Sequence, residues 1–298
     1  MASNTLSERA LAGVFNDYLE LTKPGITLTV IASMLAGFLL GTGGIIDIPL
    51  LIHATIGTWL IASGTAAHNM YMERGYDGLM RRTGNRPLPA NRILPRSGLL
   101  YSLTLIFSGL AWLLLLVNPV AGGVAFATTV IYLWAYTPLK RISALNVFVG
   151  AVPGALPVVG GWAAASGTIF EHGMWVLFGL IFCWQIPHVM SIAWVCRKDY
   201  EHAGFKMLPK RDPAGYVTIM WTLLPLVALL PTIWKLYIMG IAGPLFLSGA
   251  LFMTAGFLWY GIRFGVKRDH HTARQLMFAS FAYLPLIWAL LFLDWILF

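Results

Sequence analysis

The sequence predicts an all-α polytopic membrane protein: one domain over residues 1–298, folded as a bundle of about nine transmembrane helices with a central cavity facing the cytoplasm. The chain is 58% hydrophobic and only 11% charged, whereas a soluble domain carries roughly 25% charged residues. Apolar stretches near the ~20 residues a helix needs to cross a bilayer recur along almost the whole sequence, which leaves no length for a sizeable aqueous domain. These stretches do not alternate apolar with polar residues, as the strands of a spanning barrel must, so helices are the way to satisfy the backbone in lipid.

Residues 1–24 read as an amphipathic lead-in on the cytoplasmic side, with Leu6, Ala10, Leu11, Phe15, Tyr18 and Leu19 on roughly one side; such a segment lies at the interface or simply caps the first span. It carries Glu8, Asp17 and Glu20 and lacks a charged-then-apolar pattern, which argues against a secretory signal or an organellar presequence. The apolar spans follow at 25–44, 48–72, 98–117, 119–137, 146–165, 174–196, 215–234, 240–260 and 277–297. Asn118 and Pro119 divide the third span from the fourth, and the fifth is rich in glycine. In the sixth, Pro187 removes a helix hydrogen bond and predicts a kink. Cys183 and Cys196 lie near the two ends of that span, too far apart along a helix for a disulfide, and read as packing residues.

Charge tests this count. With nine spans the connectors alternate between two faces, and of the 20 Lys and Arg residues only Lys235 falls away from the basic face. Of the 12 acidic residues, Asp47, Glu171 and Asp294 fall opposite. The positive-inside rule puts the basic face, and with it the N-terminus, in the cytoplasm, and the C-terminus on the other side. The basic balance therefore calls for no nucleic acid; anionic lipid headgroups, and an anionic substrate, account for it.

Two cytoplasmic connectors carry chemistry. From Ala66 to Arg92, Asn69, Glu73 and Asp77 stand at i, i+4 and i+8, which stacks them on one helical face. An amide oxygen and two carboxylates facing lipid would be costly; facing a polar cavity, they suit Mg²⁺ with retained water and phosphate oxygens. Arg81, Arg82, Arg86 and Arg92 follow, apt for bidentate phosphate binding. Spacing alone fits interfacial anchors as well. The second connector, Phe182 to Asp212, sets Gln185 and His188 at membrane depth, where polar groups tend to be functional. About three turns on, Asp199 and Glu201 either complete a metal cage or pair with Arg197 and Lys198. Lys140 and Arg141 sit on the same face, and Asp269 to Arg274 read as surface loop. A transporter would place its carboxylates near the bilayer midplane; these acids lie at one membrane face.

These residues resemble the UbiA superfamily of intramembrane prenyltransferases, whose first motif is N-x-x-x-D-x-x-x-D, with Asn69, Glu73 and Asp77 at its positions. Arg82-Thr83-x-x-Arg86-Pro87, Trp184-Gln185-x-Pro187-His188 and Asp199-Tyr200-x-x-Ala203-Gly204 resemble its haem-directed branch, as do Leu21 to Pro24, Tyr136 to Arg141 and Met207 to Pro209. Glu73 stands where the family usually has Asp. The resemblance covers nearly the whole chain as one UbiA-type domain of a bacterial inner membrane. It implies transfer of a farnesyl group from farnesyl diphosphate to a vinyl group of protohaem IX (haem b), with water addition giving haem o; prenylation of an aromatic quinone precursor is the nearest alternative. It further implies Mg²⁺ on Asn69, Glu73, Asp77 and Asp199, and diphosphate on Arg82, Arg86, Lys140, Arg141 and Lys198. Tyr71, Tyr76, Tyr136 and Trp184 would wall the prenyl cation, His188 would touch haem, and a haem a synthase or terminal oxidase assembly would receive the product.

Overall fold

Proline in the first turn opens much of this bundle. Pro24, Pro49, Pro95, Pro119 and Pro244 each stand at a helix start, where a missing N–H costs nothing. In the computed structural model, which describes residues 13–297, a short helix α1 (residues 13–21) leads into nine long ones. These are α2 (Pro24–Gly41), α3 (Ile48–Asp77), α4 (Pro95–Leu116), α5 (Pro119–Leu139), α6 (Asn146–Ser166) and α7 (His172–Val195). After the short α8 (Arg197–His202) and α9 (Leu208–Arg211) come α10 (Tyr216–Ile238), α11 (Pro244–Lys267) and α12 (His270–Leu297). Among the described residues these nine are long and apolar enough to cross a membrane, and none is strand. Of the lead-in positions, Leu6, Ala10 and Leu11 lie outside the described residues; in α1, Phe15 and Leu19 are exposed and Tyr18 meets Tyr101 edge-on.

Each expected span is present, and the differences lie at the ends. The third helix runs on to Asp77, so the whole Asn69, Glu73, Asp77 stripe is helical. The last helix starts at His270 rather than 277, because Asp269 accepts the Thr272 N–H at 2.7 Å and caps it; the expected surface loop is a helix start. At the third-to-fourth boundary, Asn118 accepts the Ala121 N–H at 2.8 Å and donates to the carbonyls of Ala163 and Ala164 at 3.0 and 3.1 Å. One amide thus caps α5 and holds the last turn of α6. Helix α7 passes through Pro187 without a break. Cys183 and Cys196 are free and partly buried.

Helices in lipid are held by close packing rather than by squeezing out water. Gly161 lies against the Met34 carbonyl and Gly37 against the Val158 carbonyl so tightly that a Cβ would collide, locking α6 to α2. Gly64 and Gly109 do the same for α3 and α4. The glycine-rich α6 is therefore the central helix, packed on α2, α5 and α7; α7 carries α10 and α12, and α12 returns to touch α2. Gly154 of α6 leaves room for Gln185, which donates to the Gly150 carbonyl at 3.4 Å, and Gly150 leaves room for the Tyr136 ring. At the end of the bundle away from the stripe, a recess of about 1060 Å³ is lined by Gly43, Tyr237, Gly240, Asp294 and Trp295. Asp294 is committed there to the N–H groups of Gly243 and Phe246 at the start of α11.

Candidate functional site

Three oxygen-bearing side chains, one helical turn apart, close the end of α3. Asn69, Glu73 and Asp77 are buried, at 1, 8 and 1% exposure, and each faces a cation from a different connector. Lys23, between α1 and α2, donates to Asn69 Oδ1 at 2.8 Å. Lys140, just past α5, donates to both Glu73 oxygens at 2.9 and 3.2 Å. Arg86, in the α3–α4 connector, pairs with Asp77 Oδ2 at 2.8 Å. Three basic side chains against two carboxylates leave one basic group without an acidic partner. Burial first, then neighbouring Arg86, pushes the Lys23 amine down to about 7, with Lys140 adding to the effect and Glu73 and Asp77 opposing it.

Local sequence explains how each cation arrives. After α3 the chain descends in consecutive tight turns, including Thr83 N–H to the Met80 carbonyl and Arg86 N–H to the Thr83 carbonyl. The Thr83 hydroxyl donates to the Asp77 carbonyl at 2.8 Å, which returns Arg86 to the stripe. Ahead of Pro138, α5 widens into a π-turn over Ile131–Tyr136, a distortion often found at functional sites. There Thr137 donates to the Tyr132 carbonyl at 2.8 Å and receives the Asn69 amide N–H at 3.0 Å, which orients the Asn69 oxygen toward Lys23. The Lys206 N–H, in turn, donates to the Lys140 carbonyl at 2.8 Å and ties the α8–α9 connector to this corner.

Aromatic rings surround the cations. The Lys140 ammonium lies 4.5 Å over the Tyr136 ring, and the Arg141 guanidinium 4.8 Å over Tyr76 while donating to its hydroxyl at 2.8 Å. Arg82 reaches the Tyr200 hydroxyl in a long 3.4 Å contact. Burial pushes the Tyr200 phenol up, so it stays a hydroxyl. Phe205 stands between Tyr76 and Tyr200, 5.8 Å from each.

Not every expected residue joins this group. Tyr71 turns to another face of α3, under the Arg74 guanidinium at 4.4 Å and beside Tyr18 and Tyr101. Trp184 and His188 face α12: the Trp184 indole donates to the Ser280 carbonyl at 3.0 Å and His188 Nδ1 meets the Ser280 hydroxyl at 2.7 Å. The opposite face of α7, with Ile186, Met190 and Ala193, packs beside Tyr76 and Tyr200. Asp199 lies partly exposed on α8 and Lys198 is exposed there. Among the described residues no three His, Cys, Asp or Glu side chains gather as one metal cluster, so Asp199 does not stand with Glu73 and Asp77. Arg92 is taken by α1, pairing with Asp17 and Glu20. Sequence reasoning from spacing gave no role to Lys23 and Thr137, although Leu21 to Pro24 and Tyr136 to Arg141, which contain them, carried part of the family resemblance.

The donors that remain, two carboxylates and an amide on one buried stripe, are all hard oxygens and suit Mg²⁺ in chemistry and order. The family model for UbiA prenyltransferases matches residues 30–290. A protein of Solibacter usitatus named protoheme IX farnesyltransferase is 41% identical over 287 residues, covering 93% of this chain and 98% of that one. One of the same name from Opitutus terrae is 38% identical, over 94% and 95%. Among solved structures, one concerning digeranylgeranylglyceryl phosphate synthase in membranes superposes with a TM-score of 0.80 at 16% identity, over 96% of this chain and 100% of that one. A UbiA homologue from Archaeoglobus fulgidus, bound to DMAPP and Mg²⁺, gives a TM-score of 0.67 at 16% identity, over 92% and 99%.

Proposed function

This chain belongs to the UbiA prenyltransferase family, and on that premise we propose that it transfers a farnesyl group from farnesyl diphosphate to a vinyl group of protohaem IX, giving haem o and diphosphate after water adds. The observation that carries the reading is the α3 stripe, three oxygen donors one turn apart with a cation against each. Relatives named for this reaction, aligned over nearly their full length, supply the acceptor. Asn69, Glu73 and Asp77 are the residues to hold Mg²⁺. When bound, the ion neutralises charge building on the departing diphosphate.

The chain's own residues do the rest. Arg86 and Lys140, already at the stripe, donate to diphosphate oxygens; Arg82, Arg141 and Lys198, nearer the surface, receive the anion or hold its outer oxygens. Tyr136 and Tyr76 lie beside Lys140 and Arg141, and once these turn to the diphosphate the electron-rich rings would stabilise the allylic cation as the C–O bond breaks. Apolar walls exclude the water that would quench it. The haem vinyl carbon then attacks. On this reading His188 and Trp184, whose ring nitrogens meet Ser280 on α12, would contact haem rather than diphosphate, and Asp199, on α8, would serve the metal beside the stripe. The basic face is cytoplasmic, in a bacterial inner membrane. Purified protein given labelled farnesyl diphosphate with haem b or with 4-hydroxybenzoate tests the reading: label is expected on haem in a Mg²⁺-dependent manner, and label on 4-hydroxybenzoate alone overturns the acceptor.

A further inference from the structure

Lys23 differs from the other two cations at the stripe. Arg86 and Lys140 each face a carboxylate, whereas the Lys23 amine meets the neutral amide oxygen of Asn69. Its backbone sits in the left-handed region, φ 48° and ψ 63°, immediately before Pro24. That region is uncommon for a side chain of this size, and a following proline restricts the backbone further. Such strain persists only where the surroundings impose it. Here they do so from both sides. Arg92 fastens α1 through Asp17 at 2.8 Å and Glu20 at 3.0 Å, and the Thr27 hydroxyl donates to the Thr22 carbonyl at 2.8 Å across the hinge. The fold thus holds an unfavourable conformation at the one residue of this hinge that points an amine at the stripe.

The charge balance says what that amine is for. The corner holds one cation more than it has carboxylates, and the surplus cation is the one set against a neutral partner. A partly buried ammonium whose hydrogen-bond partner is a neutral amide oxygen is costly, and an arriving anion relieves the cost. We propose that Lys23 is a further diphosphate-binding residue, whose amine exchanges the Asn69 oxygen for an oxygen of the substrate's diphosphate and so releases Asn69 to the metal. The inference rests on the stripe being a diphosphate site. The strained hinge is what positions the amine, and α1 is the strap that keeps the hinge in place.

Calorimetric binding of inorganic pyrophosphate to the purified protein, with and without Mg²⁺, tests this on wild type, Lys23→Gln, Lys23→Met, Lys23→Arg and Glu73→Gln, each with its melting temperature. Lys23→Gln retains a donor for Asn69 and removes only the charge. Both neutral variants are expected to bind Mg²⁺-pyrophosphate about tenfold more weakly, about 1.4 kcal/mol. Lys23→Arg is expected to recover most of the affinity, and KM is expected to rise for farnesyl diphosphate but not for haem b. Wild-type affinity in Lys23→Gln overturns the proposal and leaves a strut for Asn69. Should a neutral variant melt early, Lys23→Arg decides: a folded Arg variant that binds as weakly as a neutral one overturns it too. If wild type and Glu73→Gln bind pyrophosphate alike, with no need of Mg²⁺, the diphosphate reading itself fails and Lys23 goes with it.

Discussion

Glu73 uses both oxygens on Lys140, and this pairing separates its charge from its shape. Glu73→Gln preserves an acceptor for Lys140 and the packing, and removes the negative charge a metal needs. Turnover is expected to fall about 10²- to 10³-fold with the melting temperature little changed, measured as haem product by chromatography at fixed Mg²⁺. Arg86 asks the complementary question about stability. Its side chain is 23% exposed and its partner Asp77 only 2%, so Arg86→Ala leaves a buried carboxylate unpaired, at a cost of about 3 kcal/mol. Arg86→Ala combined with Asp77→Asn should recover part of that loss in detergent unfolding; strict additivity of the two changes would show that the pair is uncoupled. The i, i+4, i+8 stripe was readable because helical periodicity is local. Lys23 was not, because its partner lies 46 residues away and the contact depends on a left-handed hinge that carries no sequence pattern beyond the Lys-Pro pair.

At the level of elements, α1 is held to the α3–α4 connector by Arg92, a side chain 40% exposed. Exposed pairs of this kind contribute at most about 1 kcal/mol. Arg92→Ala is therefore expected to loosen α1 without unfolding the bundle: faster amide exchange over residues 13–21, and a global shift within that 1 kcal/mol. A large global loss would mean that α1 is integral to the core. Span positions were legible because each apolar run must meet the thickness of the bilayer, and Asn118 with Pro119 marked a true boundary. The π-turn in α5 was not, since Pro138 signals a disturbed helix but not the direction of its relief. Nor was the rotation of α7. Trp184 and His188 are polar groups at depth on any reading, yet which neighbour they face depends on how α7 packs between α6 and α12, and that is long-range information.

For the molecule as a whole, integrity depends on backbone approaches that only glycine permits. Gly161→Leu would drive a side chain into the Met34 carbonyl on α2; since α6 is central, the expected loss is about 3 kcal/mol or more. It would be seen as early melting and loss of a single species in size-exclusion chromatography, whereas the same change at Gly123, which has open space around it, should be tolerated. The segregation of charge between the two ends of the spans was visible in where Lys and Arg fall relative to the apolar runs. The 30 residues of α3 rise about 45 Å at 1.5 Å each, against about 30 Å of hydrocarbon, so the helix is longer than the apolar layer is thick, and Glu73 and Asp77 stand in its last turns at the end where the Lys and Arg side chains gather. For the proposed substrate, an anionic end could then reach the stripe from the basic end of the bundle while its tail stays in the hydrocarbon. On the same reading the pyrophosphate would leave on the side where its substrate entered, with no passage across the membrane to build or to gate.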